Sequence, residues 1–379
     1  MKRLVVLGFL LAAPAAMADV QFSGYIKTFA IDQQAIRSPY LNAPHLYQSQ
    51  SSLRLMWQAI TPSSAWQLHY ELTPILSSTT PAYELGAVSG TNSWRLTDIQ
   101  RKLSNNPRRQ WLQNLDRLNV QFKFNAGDLT VGRQAVSFGV SRVINPTDIF
   151  LPFDVRTLNT EYRIGVDAVR FQHPVGQLSE VDVGFIAGKN ARADDSAGFL
   201  QVRTNVSGND LQFAFIRFAG QTLVGGGVQT AIGNAGFWFE AGNVTGDRHY
   251  LRASTGVDYA FTESLYGLVE YHFNGAGTSN LAEYPAQLAT TPYRVGGVFL
   301  LGRQYLIPSL RLQASPLLTV SGQAMVNLED GSVFAAVTSD YNLSENTYLG
   351  LGYYHFIGPG LSEYGSNPDT FYASLRYYF

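Results

Sequence analysis

The chain contains no cysteine. Disulfides, thiolate metal sites and cysteine nucleophiles are therefore excluded, and an exported chain of this size without disulfides leans bacterial. Histidine is scarce, at six in 379 residues, and charged residues make up only 15%. Beyond residue 18 there is no run of 18 apolar residues, so no transmembrane helix is expected.

The one compact apolar run lies at the start. Lys2 and Arg3 precede an apolar stretch at 4–13, and Ala16-Met17-Ala18 gives a small-x-small site. This pattern reads as a secretory signal peptide over residues 1–18, cut before Asp19; the alternative, a membrane anchor, has too short an apolar run. The remaining 361 residues carry 25 basic and 28 acidic side chains, a formal charge of -3. Against this low charge stand 21 Tyr, 23 Phe, 5 Trp and 35 Gly. An all-β membrane barrel accounts for that mixture better than a soluble all-β domain. Its outer face needs apolar side chains and its interfaces need aromatic girdles.

Period-two patterning supports that class. Leu118, Val120, Phe122 and Phe124 alternate with Asn119, Gln121, Lys123 and Asn125, and 251–261 alternates in the same way around Arg252, Ser254, Gly256 and Asp258. Such segments have one apolar and one polar face. Many run nine to twelve residues, the length a tilted strand needs to cross hydrocarbon. In lipid those strands must close on one another, because no water is available to satisfy a free edge.

The expected fold is an all-β, closed antiparallel transmembrane barrel filling 19–379. Strands are predicted near 20–30, 51–60, 65–73, 115–125, 128–138, 162–172, 178–188, 197–206, 210–219, 222–232, 235–243, 249–261, 264–274, 293–313, 316–328, 331–341, 346–357 and 369–379. That is eighteen, with sixteen as the alternative count. The segment 293–313 is expected to break or bulge around Pro308. Short turns at 61–64, 125–128, 173–177, 207–209, 233–235, 262–263 and 342–345 fall at one end. Long connections at 31–50, 74–114, 139–161, 275–292 and 358–368 fall at the other, the asymmetry of outer-membrane barrels. The connections 74–114 and 139–161 are the long outer loops.

Charge is unevenly spread. Between Arg95 and Arg170 there are twelve basic and seven acidic residues, a local excess of five positive charges in a net acidic chain. Arg101 to Arg109 reads either as a solvated loop or as a contact for lipopolysaccharide phosphates or an anionic solute. Nucleic acid is not an expected partner. The stretch TVGRQAVSFGVSRVINPTDIFLPFD (130–154) passes from strand into an apolar-rich loop. Ile144, Ile149, Phe150, Leu151 and Phe153 gain burial if 139–161 folds against the inner wall; a compact outer cap is the alternative. The constriction candidates are Arg142, Asp148, Asp154, Arg156 and Arg163. Lumenal wall candidates are Arg54, Lys123, Arg252, Asp258, Glu270, His272 and Arg376.

Gly132-Arg133-Gln134, Phe138-Gly139, Arg142 and Asp167-Ala168-Val169-Arg170 resemble the spaced GRQ and DAVR pattern of alginate-export outer-membrane porins. Asn145-Pro146-Thr147-Asp148 is similar to another set of porin-like barrels. A final strand ending in Phe379 resembles the assembly signal of bacterial outer-membrane barrels. These resemblances imply a passive channel, monomeric or homotrimeric, in outer-membrane lipid and lipopolysaccharide, passing small hydrophilic solutes, anionic, organic-acid or sugar-like, with no cofactor. An adhesin or structural barrel is the alternative, with 74–114 as its contact region, and a barrel-embedded hydrolase is the second. For the hydrolase, His272 with Glu270 and His69 with Glu71 share strand faces, but no G-x-S-x-G, H-E-x-x-H or partner serine is evident. No catalytic or metal-ligating residue is assigned.

Overall fold

The computed structural model describes residues 19–37, 42–81, 94–97, 101–104, 106–150, 157–158 and 161–379. Eighteen strands form the wall: β1 (Asp19–Gln33), β2 (Leu46–Ile60), β3 (Ser64–Ser77), β4 (Arg109–Phe124), β5 (Gly127–Gln134), β6 (Val166–Val175), β7 (Ser179–Ile186), β8 (Ala197–Val206) and β9 (Asn209–Phe218). The second half comprises β10 (Gln221–Ile232), β11 (Ala235–Thr245), β12 (Tyr250–Ala260), β13 (Leu265–Asn274), β14 (Gln304–Ser315), β15 (Leu318–Asn327), β16 (Val333–Ser344), β17 (Thr347–Ile357) and β18 (Thr370–Tyr378). Each strand pairs antiparallel with its neighbours in sequence. β1 pairs with β2 from Asp19 opposite Ile60 and with β18 from Tyr25 opposite Tyr378, so the sheet closes without an edge. The chain is an all-β, closed, 18-stranded antiparallel transmembrane barrel.

Alternation fixes which face is which. On β9, Leu211, Phe213 and Phe215 are exposed outward, whereas Gln212, Ala214 and Ile216 are buried inward. Val257 and Phe122 likewise face out. Aromatic side chains cluster on the outer face near both rims. Phe22, Trp57, Tyr377 and Phe379 sit near the short-turn end, and Tyr47, Trp111, Phe185 and Phe371 near the long-loop end. Such girdles match ring amphipathicity to the interfaces of a bilayer. Phe379 also closes the seam, its N–H donating to Gly24 O at 3.0 Å and its carbonyl accepting from Gly24 N at 2.9 Å.

Three segments differ from expectation. The segment predicted at 293–313 is a helical turn at Thr291–Arg294, then coil, then β14 from Gln304. Register stays continuous across Pro308, which lies opposite Val269, and the shift falls later, between Gln313 and Ser315. β5 ends at Gln134 and β6 begins only at Val166, so more chain leaves the wall here than alternation suggests. Third, β4 bulges: His69 lies opposite Arg117 and Tyr70 opposite Leu115, which leaves Asp116 as an extra residue. A bulge re-aims side chains, and Leu115, Asp116 and Arg117 are buried in succession.

Candidate functional site

Residues 139–150, which follow the wall strand β5, lie inside the barrel. Their backbone has no ladder to join, so its polar groups need partners from elsewhere. Wall side chains supply them. The Glu240 carboxylate on β11 accepts from Val140 N at 2.7 Å, Ser141 N at 3.0 Å, and Thr147 N and Oγ1 at 2.8 Å each. Glu270 on β13 accepts from Arg142 N and Val143 N at 3.1 Å, Ile144 N at 2.7 Å and Trp238 Nε1 at 2.9 Å. The loop carbonyls are met from the same wall. Ser254 Oγ donates to Ile144 O at 2.6 Å and Arg252 to Pro146 O at 3.3 Å.

Close approach is made possible by glycine. A Cβ on Gly225 would lie 2.6 Å from Thr147 Cγ2, and one on Gly227 2.5 Å from Val140 Cγ2. Gly225 and Gly227 on β10 thus form a bare track on which the loop rests. Phe138, Ile149 and Phe150 then join an apolar cluster with Phe199, Ile216 and Phe218 of the wall, and Trp94 and Val298 of other connections. Described parts of three further long connections also turn inward. Trp94 Nε1 donates to Val295 O at 3.1 Å, and Glu363 accepts from Leu301 N at 3.0 Å and Asn327 Nδ2 at 2.9 Å.

The loops fill one side of the barrel and leave a cavity of about 800 Å³ along β13–β18 and β1. Its cations are Lys27, Arg142, Arg163, Arg311 and Arg376, and its acids are Asp148, Glu161 and Asp340. A second cavity of about 420 Å³ shares Arg311, Asp340 and Arg376 and reaches Glu345 and Asn346 at the short-turn end. Lys27 pairs with Glu161, Arg163 with Asp148, and Arg376 with Asp340, while Arg142 Nε lies 3.4 Å from Asp258. Arg311 has no ion pair among the described residues. Burial pushes the Asp148 carboxyl up from its ordinary value, against the pull of Arg163.

Of the five constriction candidates, Arg142, Asp148 and Arg163 border this cavity; Asp154 and Arg156 lie outside the described residues. Of the wall candidates, Arg376 borders it. Arg252, Glu270 and His272 also point inward but are buried beneath the loop rather than meeting open water; Arg252 and Glu270 hold it directly, and His272 bonds Ser254. Arg54 is enclosed in a charge network, and Lys123 is exposed near the short-turn end. Sequence reasoning missed Lys27, Glu161, Arg311, Asp340 and Glu240. The alternation of β1, β14, β16 and β11 put the four strand residues on the inner face, but gave no sign of which inward groups converge.

Several of the basic residues between Arg95 and Arg170 are held in ion pairs. Asp116, 1% exposed, faces Arg54, Arg117 Nη1 at 2.7 Å and Arg95 Nη2 at 3.4 Å, and accepts from Gly165 N at 2.9 Å. Arg133 pairs with Asp167 at 2.7 Å and Arg170 Nε with Asp182 at 2.9 Å, which gives both arginines of the GRQ and DAVR motifs a structural partner. A serine does stand beside His272: Ser254 Oγ is 2.8 Å from Nδ1. Both are buried, however, and the Ser254 proton is engaged by Ile144 O.

No protein-family model matches the chain, and no curated protein matches it. Among solved structures, Acinetobacter baumannii OccAB4 aligns with a TM-score of 0.60 at 8% identity, over 97% of this chain and 100% of that one. Pseudomonas aeruginosa OccK5 (OpdH) aligns with a TM-score of 0.59 at 9% identity, over 95% and 98%. A. baumannii OccAB2 gives 0.58 at 10%, also over 95% and 98%. At such identities the likeness is one of fold. The barrel resembles in fold those of the Occ and OprD kind, and not specifically the alginate-export type that its GRQ and DAVR residues resemble.

Proposed function

We propose that this chain is a passive outer-membrane channel for small hydrophilic solutes, with a preference for anions such as organic acids. The observation that carries the reading is the cavity inside the barrel, bounded by the inward loop and lined by five cations and three acids. A pore needs a hole, weak binding sites and a field of the right sign. Three of the cations are matched by acids at short range and Arg142 by Asp258 at 3.4 Å, which leaves Arg311 as the lining cation with no ion pair among the described residues. Opposed charges elsewhere on the lining would orient a dipolar solute as it passes.

The aromatic girdles and outward apolar face fit a chain set in outer-membrane lipid, with the long-loop end toward lipopolysaccharide. Planar-bilayer recording tests the function. Discrete openings are expected, with a reversal potential in a salt gradient on the anion side. Arg142→Gln with Arg311→Gln should move it toward cation preference. A correctly folded barrel that never opens would sink the reading and revive the adhesin and hydrolase alternatives.

A further inference from the structure

We propose that Glu270, assisted by Glu240, is the positioning residue of the passage: it seats the loop that carries Arg142 and so sets both bore and charge preference. The proposal rests on the channel reading above. Neither carboxylate borders the cavity, and neither has an ion pair among the described residues, although both are fully buried. A buried charge without a partner is costly. Here the loop supplies the compensation through backbone N–H groups, three of them consecutive at Glu270. The carboxyl groups depend on the seated loop for hydrogen-bond donors and the loop amides depend on them for acceptors, so loop and anchors stabilise each other.

Glu270 acts on Arg142 by two routes. It fixes the Arg142 main chain directly, and it accepts from the indole of Trp238, over whose ring the Arg142 guanidinium lies at 5.8 Å. The Arg142 side chain itself remains 43% exposed toward the cavity. A carboxylate that no solute touches therefore determines where a cation presented to the solute stands.

Glu270→Gln tests this. Glutamine keeps the size but turns an NH₂ group toward loop N–H donors, so the loop should unseat while the wall persists. A heat-modifiable barrel is expected, with larger conductance and a reversal potential moved toward cations. In an Arg142→Gln background the same change should move the reversal potential no further, since one cation accounts for both effects. A second readout is independent of current. Ile149→Cys, at a site 2% exposed, should resist a water-soluble thiol reagent in the otherwise wild-type chain and react once Glu270→Gln is added. If Glu270→Gln does not assemble, Glu240→Gln should give the same widening and the same exposure of position 149. Unchanged conductance and reversal potential with position 149 still protected, or a reversal shift that adds to that of Arg142→Gln, would overturn the proposal. Absence of openings in the wild-type chain would instead overturn the channel reading.

Discussion

At the scale of single residues, Asp116 shows how much a local irregularity can organise. Asn114 and Arg117 both point into the inner charge network although three residues apart, which regular alternation forbids, and Asp116 occupies the inserted position between them. The bulge turns it inward, where one carboxylate faces Arg54, Arg95 and Arg117. Glu71 offers Arg54 only a longer contact of 3.3 Å. Asp116→Asn keeps the shape and removes the charge, leaving buried arginines uncompensated. Breaking a buried pair from one side typically costs about 3–5 kcal/mol. The unfolding temperature of the heat-modifiable species should fall clearly, whereas Asp210→Asn, on the exposed short-turn side of β9, should leave it unchanged. Equal unfolding temperatures for the two variants would show that Asp116 does not organise the cluster.

At the scale of elements, the eighteen strands were legible because lipid and water impose opposite demands on alternate residues. Leu211, Phe213 and Phe215 against Gln212 and Ala214 can be read without any partner strand. The inward loop was legible only in part. Its apolar residues argued for burial, but Glu240, Glu270 and the glycines of β10 look in sequence like ordinary inward polar and turn-prone positions. Convergence across the barrel joins residues about a hundred positions apart, and period-two patterning has no term for that. The β10 track gives a test. Gly227→Val places methyl groups where Val140 packs, so the loop must lift while β10 gains a residue that favours strands. Conductance should rise, with some loss of barrel stability because the new Cβ would also lie 2.9 Å from Phe239 O of the neighbouring strand. Conductance equal to wild type would mean that the loop seats without that close approach.

At the scale of the whole molecule, inward loops fill the side of β5–β12 and also pack on the long-loop ends of β14–β18, where Leu300 and Tyr364 meet Phe334 and Tyr372, and open space runs along the rest of β13–β18 and β1. The division follows from where the anchors lie. Glu240, Arg252, Ser254 and Glu270 fall on three consecutive strands, and the apolar cluster extends from them through β9 and β8. The facing wall offers Ser321, Gln323, Thr338 and Ser374, small or neutral groups that hold no loop and border the cavity. A solute crossing the barrel should therefore pass on one side only. The absence of natural cysteines makes this measurable. With a single cysteine at Gln323, Thr338 or Ser374, a negatively charged thiol reagent should react and lower the current in discrete steps. With a cysteine at Gln201 or Gln212, both inward but buried on the filled side, reaction should be slow and the current unchanged. Fast reaction at 201 and 212, with silence at 323, 338 and 374, would put the passage on the wrong side of the loop and require that the loop leave its anchors in the conducting state.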